Sequence, residues 1–440
     1  MSNKEYKKIV IIGAGVAGIN AATELIDNGY PGELITIIDK GNDPHNRLPE
    51  EVMTGMLGAG GWSDGKLTYH TAIGGQLSKY CGDEKAMELM DQVIQNFKRF
   101  HPKPEEIFCS DPQAEPDFIK PYFGLRLFPV WHIGSNFLHE IAKAWYQYLV
   151  DKNVKFYWDS EVTNIDFKNN KVTIGYKMDG HYMHYDTLIL ATGKSGIDFT
   201  QKVSNEYKLP TEPKSVQIGV RFEAPQKYFQ KLIDVSYDFK LYKKFDNVSL
   251  RTFCTNNNAA YVAVEETYGD VSYNGHAKKG EEFRNNMTNF GILMEIKGIE
   301  NPFEWSREAV KKLQINGTGT YYSPNKTRKP SPTSEGVEVS AIQVDTMDIL
   351  FEALGEEYAQ FIEDFITEMQ IIFPEMGEDW GIYMPEVKYL SPEPLVNYTN
   401  LSLIDYPNVY FVGDALSARG ITVAGSQGIY VAEDILNLSK

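Results

Sequence analysis

The sequence predicts an α/β chain: a doubly wound, mostly parallel sheet assembled from both ends of the polypeptide, with a second α+β domain between them. Three observations carry this. At the amino end, the apolar run Lys8–Ile12, the helically spaced stretch Val16–Asn28 and a second apolar run, Leu34–Ile38, form a βαβ unit. At the carboxyl end, the apolar strand Val409–Val412 and a helical stretch near Gly428–Leu436 supply closing pieces. Between them, from Ser215 onward, Val216–Glu223, Ser249–Thr255 and Ala260–Glu265 alternate as antiparallel strands do, without the βαβ rhythm. A chain of 440 residues accommodates two domains. The expected boundaries are 1–200 and 385–440 for the first domain and 201–384 for the second.

The remaining elements follow in order. Gly29 stops the first helix. Glu84–Phe100 has helical spacing and leads into a proline-punctuated loop, Pro102–Pro121. Ser135 is placed to cap a helix from Asn136 to Lys152. Val154–Trp158, then a three-stranded meander of Glu161–Phe167, Lys171–Lys177 and Tyr182–Tyr185, lead to the apolar strand Thr187–Leu190. In the central block, Pro302–Leu313 and Met347–Phe373 read as amphipathic helices.

Composition narrows the partners. A formal charge of −17 repels phosphate backbones, so nucleic acid is excluded as a general partner. Cys81, Cys109 and Cys254 are far apart and form no Cys-x-x-Cys pair, which argues against a disulfide framework or a dithiol centre. Glycines interrupt the amino-terminal apolar run, and no uninterrupted stretch reaches membrane-helix length. The expectation is a soluble, cytoplasmic protein without membrane insertion. No metal-ligand spacing, Walker-type phosphate loop or Gly-x-Ser-x-Gly elbow occurs.

Gly13-Ala-Gly15-Val-Ala-Gly18 matches G-x-G-x-x-G in the context that gives the pattern meaning: a strand before it, a helix after it, and an acid, Asp39, ending the next strand 21 residues past Gly18. Gly13 permits the tight turn, Gly15 lets a diphosphate approach the backbone, and Gly18 packs the helix on the sheet. The helix beginning at Val16 and Ala17 offers free N–H groups and its positive dipole end. Asp39 is placed to accept from ribose hydroxyls. This is a Rossmann-like dinucleotide-binding fingerprint, and by itself it does not choose between FAD and NAD. There is no second such motif after a strand, so any NAD(P)H is expected to dock only transiently.

Three further segments join the fingerprint in a resemblance: Leu188-Ile-Leu-Ala-Thr-Gly193, Val409-Tyr-Phe-Val-Gly-Asp414 and Gly58-Ala-Gly-Gly-Trp-Ser-Asp-Gly-Lys-Leu67. Together they resemble the two-domain FAD-dependent oxidoreductases of the glutathione-reductase superfamily, and more narrowly the FAD-dependent dehydrogenases related to it. Weaker echoes are His132-Ile-Gly-Ser135 and Gly219-Val-Arg-Phe-Glu223. Lys194 stands where that family often has histidine, and the stretch Ala418–Gly428 is less dense in glycine than the family's. The resemblance implies FAD as cofactor, with Asp414 on a ribityl hydroxyl and Gly413 near the pyrophosphate. Gly425-Ser-Gln427-Gly428 is expected to open the last helix beside the pyrimidine edge of the flavin. The expected cofactor contacts are Gly13, Gly15, Val16, Ala17, Gly18, Asp39, Lys40, Gly61, Ser63, Lys66, Leu67, Val162, Thr192, Gly193, Gly413, Asp414, Gly425, Gln427 and Gly428; Asp64 is a further candidate.

Because the cofactor performs the hydride chemistry at N5, the protein need supply only position and charge control. His132, just before a helix start, is a candidate proton shuttle, with Tyr69 and His70 as alternatives. Lys66 is a candidate donor towards N5. Arg221 and Arg251 lie in strands of the central block, where a guanidinium would suit an anionic substrate; strand alternation leaves open which face each one takes. Cys254 reads as a small buried hydrophobe, and Glu265 and Glu266 as a strand end. The reading is a dehydrogenase or reductase acting on a small organic substrate, with a partner protein as a possible electron donor. A flavin monooxygenase and a non-catalytic binding or chaperone module are the alternatives.

Overall fold

The computed structural model describes residues 5–48, 51–63, 65–175, 181–212, 215–267, 269–277, 281–389 and 392–439. The chain forms two compact units. The first comprises Met1–Cys109, Pro129–Pro213 and Pro392–Lys440, and the second Ser110–Phe128 and Lys214–Ser391. The structural boundaries therefore fall near 213 and 391 rather than at 200 and 384. The segment 110–128, which includes the end of the expected Pro102–Pro121 loop, belongs to the second unit and contributes the strand Gly124–Arg126 to its sheet.

The first unit is organised on a five-stranded parallel sheet. Its order is Val409–Phe411, Thr187–Leu190, Ile9–Ile12, Ile35–Ile38, Lys155–Tyr157. The first four of these strands are buried along their whole length, as expected for a sheet covered on both faces. Registers are in step at the carboxyl ends: Ile12 lies opposite both Leu190 and Ile38, and Leu190 opposite Phe411. The helices Val16–Asp27 and Ile421–Leu438 pack closely. A Cβ on Gly428 would stand 2.0 Å from the Ala17 carbonyl oxygen, so only glycine permits this approach. The meander is present as Val162–Asp166, Lys171–Ile174 and His181–His184.

Three helices differ from expectation. The predicted Glu84–Phe100 helix begins earlier, at Leu77, across a kink at Gly82 (φ 78°). The helix expected from Asn136 under a Ser135 cap begins at Leu138 after a short 3-10 turn, and no side chain caps it. The predicted Met347–Phe373 helix is two helices, Asp348–Leu354 and Glu356–Ile372, because Gly355 at φ 85° breaks the spiral while leaving the apolar spacing intact.

The second unit is built on an antiparallel sheet containing, in order, Thr318–Tyr322, Gly381–Lys388, Val216–Pro225, Met287–Ile296, Val248–Asn258, Lys240–Lys244 and Gly124–Arg126. One face supports the helices Pro302–Lys312 and Glu356–Ile372 through a core that includes Ile218, Val220, Phe222, Leu250, Ile292 and Met294. The hairpin Ala260–Thr267 and Asp270–Ala277 is a separate two-stranded ribbon.

Candidate functional site

At the carboxyl ends of the first unit's parallel strands lies a cavity of about 440 Å³, where open α/β sheets bind ligands. Its lining comes from distant parts of the chain: Gly13 and Gly15–Ala17, Asp39 and Lys40, Leu57–Gly60 and Ser63, Ser160–Val162, Ala191–Gly196 with Asp198 and Phe199, Gly413 and Asp414, and Gly420, Ile421 and Ala424. The fully buried strands Ile9–Ile12, Ile35–Ile38, Thr187–Leu190 and Val409–Phe411 deliver the first, second, fifth and sixth of these, so the packing of the sheet converts sequence separation into proximity.

The two leading glycines do different work. Gly13 sits at φ 106°, and a Cβ there would lie 2.2 Å from the Ala191 carbonyl oxygen. The fold itself demands glycine at this position. Gly15 has ordinary extended geometry (φ −66°, ψ 175°), and the nearest atom to a Cβ is 4.0 Å away. Its bare Cα is not required by the chain, yet it lines the cavity at the helix N-terminus. That is the cradle an approaching diphosphate would fill. Gly18 is a packing residue, its Cβ position lying 2.2 Å from the Gly13 carbonyl oxygen.

Asp39 ends its strand with three backbone amides on its carboxylate. Gly41 and Gly55 N–H donate to Oδ1, and Ala14 N–H to Oδ2, each at 2.8 Å. Oδ1 is thereby filled and one acceptor site remains on Oδ2, enough for a ribose hydroxyl. Lys40 also lines the cavity, its Nζ donating to the Ser195 carbonyl at 3.0 Å and bridging to the 193–196 turn. Gly193 adopts φ 62° with no atom within 4 Å of a Cβ, another open backbone surface on the cavity.

Asp414 also lines the cavity. Burial pushes its carboxyl up from the ordinary aspartate value, against the pull of Arg419 and Lys194. Arg419 Nε approaches Asp414 Oδ1 at 3.6 Å. Lys194, noted as a departure at the sequence level, therefore supplies a cation near this carboxylate.

Other expected contacts have different places. The last helix starts at Ile421, not at Gly425, with Gly420 (φ 91°) as its cap. The cavity is met by Gly420, Ile421 and Ala424. Gly425 and Gly428 are helix-interior packing positions against Val93, Asn20 and Ala17. The glycine-rich texture of 425–428 arises from helix crossing, which sequence reading took for a helix start. Gln427 is fully buried and accepts from the Gly413 N–H at 2.8 Å, so it positions the turn before Asp414. Val16, Ala17, Ser63, Val162 and Thr192 line the cavity; Gly61, Lys66 and Leu67 do not. Asp64 lies outside the described residues.

Lys66 and His132 face each other across the paired strands Lys66–Thr68 and Val130–His132. The His132 ring is buried and stacks on Phe108 at 4.6 Å, and neither residue lines the cavity. His70 Nδ1 accepts from the Ala72 N–H at 3.0 Å. In the second unit Arg221 is fully buried, with Nε 3.0 Å from Glu386 Oε2 and its other nitrogens donating to the Cys254 carbonyl (3.1 Å) and Asn274 Oδ1 (3.0 Å). A guanidinium so enclosed is a structural cation, not a substrate contact. Cys254 sits at a strand irregularity with φ 45° and is exposed, not the buried hydrophobe expected from the sequence, because the irregular backbone there turns its side chain out of the strand's alternation.

Arg47 was missed. Its guanidinium donates to the carbonyls of Met56 (2.7 Å), Gly58 (2.8 Å) and Glu51 (2.9 Å), tying down the loop that presents Leu57 and Gly58 to the cavity. Burial pulls its pKa down to about 10, against Asp39 and Glu51. Its acceptors are all main-chain, so no side-chain pattern in the sequence announces it.

Comparison with curated proteins found no match. Among solved structures, the chain is similar to a flavoprotein/dehydrogenase from Cytophaga hutchinsonii (12% identity, 98% of this chain and 78% of that one, TM-score 0.43). It is also similar to the halogenase PltM (12%, 99% and 69%, TM-score 0.42) and to CtdE in complex with FAD (8%, 99% and 84%, TM-score 0.37). Residues 7–218 match the family model described as pyridine nucleotide-disulphide oxidoreductase. Cavity and match agree on a Rossmann-type, nucleotide-binding oxidoreductase fold.

Proposed function

We propose that the chain is an FAD-dependent oxidoreductase of the dehydrogenase or reductase type, exchanging a hydride between the flavin and a small organic substrate. The observation that carries this is the meeting, in one cavity, of Gly15, Asp39, Gly193 and Asp414 with the amino ends of two helices. A second acidic turn across the cavity from the ribose-binding acid is what a dinucleotide with a ribityl arm needs. Bound FAD would supply the hydride-accepting ring. The chain's own part is to bind and orient. The helix at Val16 offers N–H groups to the diphosphate, Oδ2 of Asp39 accepts from ribose, and Asp414 accepts from a ribityl hydroxyl. The helix at Ile421 presents its positive end to developing negative charge. In the reductase direction NAD(P)H docking transiently, or a partner protein, would supply the electrons; in the dehydrogenase direction the substrate would supply them and a separate acceptor would take them from the flavin.

Among the described residues no helix is long and apolar enough to cross a membrane. The decisive experiment is to purify the chain, denature it and identify any released chromophore. Release of one FAD per chain, reducible by dithionite in the native protein, is the expected result. A colourless protein that fails to take up added FAD overturns the reading. Anaerobic turnover with a dye acceptor separates a dehydrogenase from a monooxygenase, which would instead incorporate oxygen during NAD(P)H consumption.

A further inference from the structure

In the second unit, strand registers determine which side chains share the sheet face opposite the helices. Tyr242 lies opposite Arg251, and Arg251 opposite Leu293. One step along, Arg126 lies opposite Lys240, and Phe253 opposite Gly291. Since side chains alternate, Leu250 and Thr252 point to the other side, where Leu250 joins the apolar core. Arginine 251 thus takes the face that sequence alone left undecided.

Cations gather on this face around two rings. The Arg251 guanidinium carbon is 5.2 Å from the centre of the Phe253 ring, Lys388 Nζ is 5.8 Å from it and Lys240 Nζ 5.9 Å. Arg126 lies 5.3 Å from the Tyr242 ring. In a chain with a formal charge of −17, such a concentration of positive charge runs against the general surface. Lys240 is 2.5 Å from Asp238, Lys388 is 3.3 Å from Glu386, and Arg126 has interactions of its own beyond the Tyr242 ring. Arg251 forms no hydrogen bond or ion pair with the described residues. Glu295 acts on it only from a distance while accepting from the Ser215 hydroxyl at 2.9 Å. Burial pulls the Arg251 guanidinium down from its ordinary value, with Glu295 opposing and Arg126 adding to the shift. A guanidinium largely withdrawn from water, backed by like charge and without a paired anion, is the unsatisfied half of a charge-assisted contact.

We propose that this face binds a small organic anion, a carboxylate carried on an aromatic or apolar body. Arg251 holds the carboxylate through its two-pronged fork, and the Phe253 and Tyr242 rings flank the apolar body. The proposal stands on the second unit alone and needs no flavin, so its failure and that of the proposed function are separate events.

The test is calorimetric titration of the full chain with benzoate, and with benzamide as the uncharged analogue of the same shape. Saturable benzoate binding is expected, with benzamide weaker by about 10-fold or more, since an ionised acceptor strengthens such a contact beyond what a neutral amide oxygen gives. Arg251→Gln should abolish the preference, Arg251→Lys should retain part of it, and Lys168→Gln, an exposed cation of the first unit, should leave it unchanged. Should Arg251→Gln fail to fold, the benzoate–benzamide comparison on the unaltered chain still decides. Absence of saturable benzoate binding, equal binding of the two probes, or an undiminished preference in folded Arg251→Gln overturns the proposal.

Discussion

Replacing Gly13 and Gly15 by alanine, one at a time, separates what the fold needs from what a ligand needs. At Gly13 the backbone stands at φ 106° and a Cβ would come within 2.2 Å of the Ala191 carbonyl oxygen. Strain in that region alone costs roughly 1–3 kcal/mol, and the collision is with main chain that cannot rotate away. Gly13→Ala should therefore melt well below the parent as apoprotein, or fail to fold. At Gly15 the geometry suits any residue and the nearest atom to a Cβ is 4.0 Å away. Gly15→Ala should then be neutral, or more stable by roughly 0.4–1 kcal/mol through a less flexible unfolded chain. The methyl group enters the cavity, however, where a diphosphate would pack. An overpacked contact costs roughly 1–3 kcal/mol, which weakens nucleotide binding by about 5- to 150-fold. Thermal melts must be made on apoprotein, because bound FAD stabilises the folded state in proportion to its occupancy; affinity is read by quenching of flavin fluorescence. A Gly15→Ala variant that binds FAD as tightly as the parent, or that destabilises as Gly13→Ala does, would refute the cradle.

Three further outcomes follow from the same cavity. Asp39→Asn removes one acceptor oxygen and turns an amide NH2 towards a backbone N–H, so both the apoprotein melting temperature and FAD affinity should fall, each by the equivalent of about 1–3 kcal/mol. Arg47→Met strips the cation from the carbonyls of Glu51, Met56 and Gly58; limited proteolysis should then cut within 41–61 faster than in the parent, and unchanged cleavage would count against the staple. Gln427→Leu leaves the Gly413 N–H without its acceptor, and should weaken FAD binding while Gln427→Glu, which keeps an oxygen there, weakens it less.

Much of the first unit was legible because its signals are local. A strand buried on both faces must be apolar throughout, a turn at positive φ asks for glycine, and an acid at a strand's end is visible as such; Ile9–Ile12, Gly13 and Asp39 satisfy all three. What escaped depends on non-local packing. The glycines at 425 and 428 look like a helix start, but they exist because the last helix crosses the first at Ala17. Arg47 bonds to main-chain carbonyls, which every residue possesses. Segment 110–128 joins the second unit through a three-residue strand too short to carry a period. Arg221 and Arg251 were indistinguishable in sequence. Each lies in an alternating strand, and the registers put both on one sheet face; only their side-chain contacts show one enclosed with Glu386 and the other beside Phe253.

Asp414 puts the cost of the site in thermodynamic terms. Its folded-state carboxyl is raised by burial, so the folded state holds its proton more tightly than the unfolded chain does. Between the ordinary aspartate value and the raised one, the folded state carries more protons, and stability falls as pH rises through that window. Above it the charged carboxylate is a standing destabilisation that Arg419, 3.6 Å away, and Lys194 only partly offset. Asp414→Asn should therefore leave the apoprotein as stable or more stable at neutral pH, lose the parent's decline across the window, and yet bind FAD more weakly, because the strongest acceptor for a ribityl hydroxyl is gone. Chemical denaturation of both apoproteins at several pH values, set beside their FAD titrations, checks the two halves independently. If the variant loses stability at neutral pH, Asp414 is a structural cap and not a ligand acceptor retained at a cost to the fold.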